Sequence, residues 1–191
     1  KLEALGIADN TIIMFASDNG AHREGGGDPN FFRSSGDLKG IKRSLYEGGI
    51  RTPFIVVWPA QIDGNQVTNR QAAFWDIMPT LLDLTKTKNE AYTDGISILP
   101  TLLRKGKQAQ RKYLYWEFHE EGGRQAVRQG DWKLIVQQVK NPAKTYVELF
   151  NLKKDPFERN NLAKDNPRKV KALKQLINEA HTESSLFPLL P

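Results

Sequence analysis

Three polar residues that could do chemistry follow an apolar run near the start of the chain. Asp18 and Asn19 come directly after TIIMFA, residues 11–16, and His22 lies three residues beyond Asn19. Carboxylate and amide oxygens are ligands of hard cations such as Ca²⁺ and Mg²⁺, and a histidine exchanges protons near neutral pH. Two oxygen ligands are fewer than the roughly six to eight that Ca²⁺ takes. On these residues alone, an Asx-turn that ends a strand is the simpler interpretation.

A second polar stretch, GIKRSLYEGGIRTP, occupies residues 40–53. It carries three cations and two adjacent glycines: Lys42, Arg43, Arg51, Gly48 and Gly49. A lysine ammonium is a compact donor to a tetrahedral anion, and paired glycines permit a tight turn or a close backbone approach. We expect Glu47 to pair with Arg51 across that turn, which leaves Lys42 available for an anionic ligand.

The elements that must position these residues follow from the hydrophobic pattern. TIIMFA carries β-branched or apolar residues at its odd and at its even positions alike. This pattern predicts a strand buried on both faces, as in a parallel sheet under helices. Ligands bind at the carboxyl ends of such strands. FIVVWP, residues 54–59, predicts a second buried strand, and Asp76 predicts the start of a helix over 77–85. Residues 20–40 show no period, which is typical of a functional or a disordered loop.

The second half of the chain has a different pattern. KYLYWEF, RQAVRQGDWKLIVQQ and YVELFNL predict the strands of a small antiparallel sheet. Asn166 and Pro167 predict the start of a closing helix with an apolar stripe. We therefore predict two parts, an α/β part over residues 1–108 and an α+β subdomain over residues 109–191.

Composition limits the classes of function. The 191 residues include no cysteine, which excludes disulfides, thiolate zinc sites and a cysteine nucleophile within this chain. The net charge of +6 comes from scattered lysines in the second half rather than from basic clusters with stacking aromatics, so we predict no nucleic-acid partner. No apolar run approaches the roughly 20 residues of a membrane span, and no signal-peptide pattern is present.

The segments DNTIIMFASDNG and LKGIKRSLYEGGIRTPFIVVWP together resemble the sulfatase family, which has an alkaline-phosphatase-like fold. The resemblance continues, in the family's order, through AFWDIMPTLLDL, DGISILPTLL, YLYWEF, AVRQGDWKLI and ELFNLKKDPFERNNLA. The loop NGAHREGGGDPNFF looks like that of arylsulfatases and N-acetylgalactosamine-6-sulfatase-like enzymes. The implied fold is the C-terminal part of an α/β sulfatase fold, followed by a small antiparallel sheet and a closing C-terminal helix.

The resemblance implies a role for each candidate residue. The Asp-Asn pair of the sulfatase SDNG motif binds the active-site Ca²⁺, so Asp18 and Asn19 would be metal ligands, with Mg²⁺ as the alternative ion. The lysine four residues before the YEGG tyrosine contacts the sulfate and the leaving oxygen, a role that falls to Lys42. Its charge would offset the negative charge that develops in the transition state. His22 is a candidate for substrate contact or leaving-group assistance, and His119 is a candidate for substrate contact at the pocket rim.

This sequence departs from the family in one large respect. Sulfatases use a formylglycine made from Cys or Ser in a C/S-x-P/A-x-R motif, and no such motif occurs here. Two further metal-binding aspartates and other site residues normally precede SDNG and are not in this chain. We therefore expect the C-terminal part of a sulfatase, which hydrolyses no sulfate ester alone. The N-terminal part of the same protein and a formylglycine-generating enzyme would be its partners, and a periplasmic or secreted location is expected.

Other functions stay open at this stage. A phosphonate or phosphate ester hydrolase of the same superfold would share the metal pair, although the YEGG block favours a sulfatase. A non-catalytic module that binds anions or glycans would also keep the scaffold. For a sulfatase, the expected substrates are sulfated sugars or aryl sulfates.

Overall fold

The computed structural model describes residues 1–88 and 91–190. The elements in chain order are β1 (Ile13–Ala16), α1 (Glu47–Ile50), β2 (Phe54–Val57), α2 (Ile77–Leu84), α3 (Leu99–Leu103), β3 (Leu114–Phe118), β4 (Arg124–Gln129), β5 (Trp132–Gln137), β6 (Tyr146–Asn151) and α4 (Pro167–Ala180). No helix in the described ranges is both long enough and apolar enough to cross a bilayer.

The chain forms two compact units, each assembled from two stretches. Unit 1 contains Lys1–Ala16 and Phe54–Arg111, and unit 2 contains Ser17–Pro53 and Lys112–Pro191. The units therefore alternate along the sequence. The division into parts at residues 1–108 and 109–191 stays a prediction.

Unit 1 is built around a two-stranded antiparallel sheet and the helices α2 and α3. β1 pairs with β2, and Ile13 lies opposite Val57. The expectation that β1 is buried on both faces in a parallel sheet is wrong for this structure, because Ile13 and Phe15 are 46% and 59% exposed. The apolar pattern predicts burial under covering layers. In the described residues, β2 is the single strand paired with β1.

The predicted start of α2 at Asp76 is confirmed, but the Asp76 carboxylate binds groups that lie outside α2. It accepts hydrogen bonds from the amides of Ala73 and Ile96, each at 2.9 Å, and pairs with Arg111. Asp76 is fully buried. This network joins the start of α2 to two other segments of unit 1.

Unit 2 contains a four-stranded antiparallel sheet in the order β3-β4-β5-β6. The prediction of a small antiparallel sheet in this part of the chain is confirmed. α4 packs on one sheet face, where its Leu173 and Ile177 join a cluster with Val127, Leu134 and Leu149. On the other face, Leu45, Tyr46 and Ile50 pack with Ala126, Ile135 and Phe150. The sheet is thus covered on both faces, and the polar stretch at residues 40–53 covers the second one.

Candidate functional site

Two backbone hydrogen bonds join the loop after β1 to the loop that carries Lys42. The Gly20 amide donates to the Gly49 carbonyl at 2.9 Å, and the Lys42 amide donates to the Ala21 carbonyl at 2.8 Å. All of these residues belong to unit 2. The structure therefore connects the backbone beside Asp18 and Asn19 directly to that of Lys42, although about 20 residues separate them in sequence.

Glycine is required where these loops meet. A Cβ atom at Gly20 would lie 1.9 Å from the Gly48 carbonyl oxygen, and one at Gly49 would lie 2.2 Å from the Ser44 carbonyl oxygen. The Gly48 amide also donates to the Lys39 carbonyl at 2.8 Å. The close backbone approach predicted from the two adjacent glycines is confirmed.

Asp18 and Asn19 turn toward each other at the end of β1. The Asn19 Nδ2 donates to Asp18 Oδ1 at 2.9 Å. The Gly20 amide is used by Gly49, so Asp18 does not close an Asx-turn on Gly20. Both side chains offer the oxygens that Ca²⁺ and Mg²⁺ prefer. The described residues contain no group of three or more His, Cys, Asp or Glu side chains that could hold a metal, and the role of Asp18 and Asn19 as metal ligands stays a prediction.

One carboxylate, Glu24, holds three basic side chains around the predicted sulfate contact. Its Oε2 lies 3.6 Å from Lys42 Nζ and 3.5 Å from His22 Nδ1, and its Oε1 pairs with Arg43. The hydrogen bond from Arg43, followed by its charge, lowers the pKa of Glu24 below the ordinary value. His22 Nδ1 accepts a hydrogen bond from the Glu24 amide at 3.1 Å, so the Glu24 backbone holds the His22 ring and the Glu24 carboxylate lies beside Lys42. His22 and Lys42 thus meet at Glu24, a residue that sequence reasoning missed.

Nothing in the sequence pattern distinguishes Glu24 from a solvated loop residue. It lies in a glycine-rich stretch without a period, 18 residues before Lys42. Three glycines follow it in the sequence, and two of them, Gly25 and Gly26, have φ of +76° and +85°. Such angles let the loop turn sharply behind the carboxylate.

Arg43 holds an uncommon backbone conformation beside Lys42. Its φ is +74°, in the left-handed region that favours glycine. Its carbonyl accepts a hydrogen bond from Arg124, and its guanidinium also lies 3.5 Å from Glu120. Residues in this region usually persist where the surroundings enforce them, often at functional sites.

His119 occupies a different position from His22. Its ring stacks on Phe187, with 4.1 Å between ring centroids, and the next residue, Glu120, contacts Arg43. The structure therefore places the segment after β3 beside the Lys42 loop, with the His119 ring packed against the C-terminal segment. The substrate contact of His119 stays a prediction.

The expected pair between Glu47 and Arg51 is wrong. Glu47 is buried, and its carboxylate lies 2.9 Å from Lys133 Nζ and 3.5 Å from Arg128. Arg51 is exposed. A buried carboxylate needs a cation that is buried with it, and the tertiary packing of β5 supplies Lys133.

Comparison with known proteins places this chain in a family. A family model for the C-terminal region of N-sulphoglucosamine sulphohydrolase matches residues 40–184. The chain belongs to the sulfatase family. It is 35% identical to an N-acetylgalactosamine-6-O-sulfatase of Bacteroides thetaiotaomicron over 95% of this chain and 38% of that protein. It is 31% identical to human arylsulfatase A, over 90% of this chain and 38% of the relative.

Solved sulfatase structures show the same fold. One, from work on glycosaminoglycan metabolism in Bacteroides thetaiotaomicron, has a TM-score of 0.72 and 33% identity, and covers 93% of this chain and 40% of its own. Another, in complex with its substrate D-glucosamine-2-N,6-O-disulfate, has a TM-score of 0.73 and 29% identity, with 93% and 35% coverage. The predicted fold class is confirmed. The chain spans well under half the length of these relatives.

Proposed function

We propose that this sulfatase chain contributes part of the active site of a sulfuric ester hydrolase. The observation that carries the proposal is the backbone connection between the Asp18–Asn19 loop and Lys42. This connection would hold the oxygens of Asp18 and Asn19 and the Lys42 ammonium in a single framework. Such a framework suits recognition of a negatively charged sulfate group by a bound metal ion and an ammonium group.

Lys42 would bind the sulfate and the leaving oxygen. Its side chain is 33% exposed, and its ammonium is 3.6 Å from Glu24, a contact that an anion can replace. The ammonium would be worth most in the transition state, where negative charge collects on the sulfate and leaving oxygens. In the overall hydrolysis the bond between sulfur and the leaving oxygen would break, water would supply the oxygen that becomes bonded to sulfur, and a proton from water would end on the leaving oxygen.

Asp18 and Asn19 would hold Ca²⁺, with Mg²⁺ as the alternative. The ion would supply positive charge that polarises the sulfate group when it is bound. The remaining ligands and the formylglycine nucleophile would come from sequence other than these 191 residues. His22 is half exposed and shares Glu24 with Lys42, so it would contact the substrate or assist the leaving oxygen.

We infer a sulfated sugar as the substrate class. Support comes from the relatives, because several are N-acetylgalactosamine-6-sulfatases and one solved structure holds a disulfated glucosamine as its substrate. Amino sugars with a 6-O-sulfate are therefore the first candidates. A periplasmic or secreted location, where such glycans are met, is part of the same proposal.

Further sulfatase sequence would also cover the exposed apolar side of unit 1. The side chains of Ile13, Phe15, Ile55 and Val57 are each at least 45% exposed on the β1–β2 sheet. A contiguous exposed apolar patch of this kind is typical of a surface that another segment or partner covers. We propose that the N-terminal part of the same protein packs on this patch of the β1–β2 sheet. A formylglycine-generating enzyme would modify that N-terminal part.

The test is sulfate release by the protein as its gene encodes it, produced together with a formylglycine-generating enzyme. The substrates are 6-O-sulfated N-acetylgalactosamine, 6-O-sulfated N-acetylglucosamine and an aryl sulfate. A phosphate monoester and a phosphonate monoester serve as matched controls. We expect turnover of a sulfate ester by this protein and none by the 191-residue chain alone. Preferred turnover of the phosphorus esters would support the related hydrolase, and glycan binding without turnover would support a binding module.

A further inference from the structure

A fully buried cation in β5 is bound to two acidic residues from other segments. Lys133 Nζ lies 2.9 Å from Glu47 Oε1 and 2.9 Å from Glu158 Oε1. Lys133 and Glu158 are each 0% exposed, and Glu47 is 3% exposed. Charged residues are almost never buried to this extent unless they are paired, so this trio is a built feature of unit 2.

Glu158 also forms a hydrogen bond with the backbone at the start of α1. Its Oε2 accepts a hydrogen bond from the Glu47 amide at 2.6 Å. Glu47 is thus held twice, at its carboxylate by Lys133 and at its amide by Glu158. Both anchors fix the first residue of the turn that contains Gly48 and Gly49.

The backbone of Glu158 indicates that its side chain is needed at this position. Its φ is +55°, in the region where glycine is the unstrained residue. The preceding Asp155 supports the turn, because its carboxylate accepts hydrogen bonds from the Arg159 and Asn160 amides at 2.8 Å each. A strained residue that persists in this way points to a function for the side chain.

A continuous set of contacts leads from this trio to the proposed site. Glu47 begins α1, Gly48 bonds to Lys39, and Gly49 accepts the hydrogen bond from Gly20. We propose that Lys133 and Glu158 are positioning residues that hold the α1 turn so that Lys42 and the Asp18–Asn19 pair keep their relative placement. They touch neither substrate nor metal, and they act through Glu47.

A purely stabilising role is a weaker account of the trio. Burying charges costs solvation free energy, and replacing buried ion pairs with apolar residues is often neutral or stabilising. The α4 face of the same sheet is held by apolar side chains such as Leu173. The polar anchors occur on the opposite face, where the 40–53 segment packs.

The experiment compares three variants of the protein as its gene encodes it. Glu158→Asp keeps the charge but shortens the side chain, so it cannot reach both Lys133 and the Glu47 amide. Glu158→Gln keeps an acceptor of the same length for that amide. Leu173→Ala removes core packing in the same unit without touching the trio. The readouts are amide hydrogen exchange in residues 17–24 and 39–50, and kcat and KM for sulfate ester hydrolysis.

We expect Glu158→Asp to speed exchange in both segments at least about tenfold and to lower kcat about tenfold. Glu158→Gln should restore most of the exchange protection. Leu173→Ala, compared at a temperature that gives the same fraction of folded protein, should leave both segments protected and kcat within about twofold. Equal acceleration by Leu173→Ala and Glu158→Asp would overturn the proposal, as would unchanged exchange in Glu158→Asp.

The kinetic arm rests on the proposed function, whereas the exchange arm does not. Absence of sulfate ester turnover in the unsubstituted protein would refute the proposed function. Faster amide exchange of residues 17–24 and 39–50 in Glu158→Asp than in Leu173→Ala would still support the mechanical link between the trio and the two loops.

Discussion

The amide of Gly20 and the carbonyl of Gly49 are joined by a 2.9 Å hydrogen bond. This contact connects the loop of Asp18 and Asn19 to the turn that follows Lys42. It exists only because both loops carry glycine where their backbones meet.

Gly20→Ala should disrupt the framework. A Cβ atom there would lie 1.9 Å from the Gly48 carbonyl oxygen, so one backbone segment must move. We expect a loss of about 1–3 kcal/mol of stability and a large loss of kcat. The matched control is Gly27→Ala, since a Cβ at Gly27 meets no atom closer than 3.9 Å and its φ is −77°. Thermal unfolding and kcat of both variants are measured, and equal behaviour of the two would contradict the prediction.

Glu24→Gln should strengthen the binding of inorganic sulfate. The carboxylate of Glu24 competes with anions for Lys42 and Arg43. Removing this negative charge should therefore raise sulfate affinity by a modest factor, most clearly at low ionic strength, because salt screens interactions between exposed charges. Sulfate is titrated by calorimetry or by NMR of the basic side chains. Asp37→Asn, which breaks the exposed pair with Arg33, is the control and should leave sulfate affinity unchanged.

The stability difference between the unsubstituted protein and Glu158→Gln should depend on pH. Burial raises the pKa of Glu158 above its ordinary value of 4.5. In the window above pH 4.5 the folded state therefore holds a proton that the unfolded state releases, and the contribution of Glu158 to the free energy of unfolding falls as pH rises.

Glu158→Gln should consequently cost less stability at pH 7.5 than at pH 4.5. The measurement is chemical unfolding of both proteins across this range. Leu173→Ala changes no titratable group, so its cost should be constant with pH. A cost of Glu158→Gln that grows with pH would show that the pKa of Glu158 is lowered in the fold, contrary to the direction expected from its burial.

Ile55→Lys should destabilise the protein as its gene encodes it, although Ile55 is 55% exposed in this structure. The proposed packing of further sulfatase sequence on the β1–β2 sheet would bury the new charge, which costs free energy. Val67→Lys, at a residue that is 90% exposed in a loop, is the control and should change stability by less than about 0.5 kcal/mol. Equal melting temperatures for the two variants would argue against a covered sheet face.

Local patterns predicted the secondary structure well. The strands of the C-terminal sheet, α2 after Asp76 and α4 after Asn166 all lie where apolar spacing and capping residues place them. The pairing of β1 was not predictable from its own residues. A strand that is apolar on both faces indicates that both faces are covered in the folded protein. It does not indicate which strand pairs with it or in which direction.

The candidate site was predictable in part. The motifs around Asp18, Asn19 and Lys42 resemble a family, and the structure connects their loops. Glu24 and the partners of Glu47 were not predictable, because long-range charge pairing leaves no period in the sequence. Arg51 is four residues from Glu47 in the sequence, whereas Lys133 is 86 residues away. Glu47 pairs with Lys133 because both side chains are buried, whereas Arg51 is exposed.

The central claim is that Lys42 binds the sulfate group in the transition state, and kcat of Lys42→Ala tests it most directly. The variant is made in the protein as its gene encodes it and assayed with a substrate that the unsubstituted protein turns over. Lys39→Ala is the comparison, because Lys39 lies 4.0 Å from the centre of the Tyr46 ring and 3.4 Å from Glu148, so its loss should lower stability instead. We expect Lys42→Ala to lower kcat about 100-fold or more with nearly unchanged thermal unfolding. Unchanged kcat in a folded Lys42→Ala protein would contradict the account.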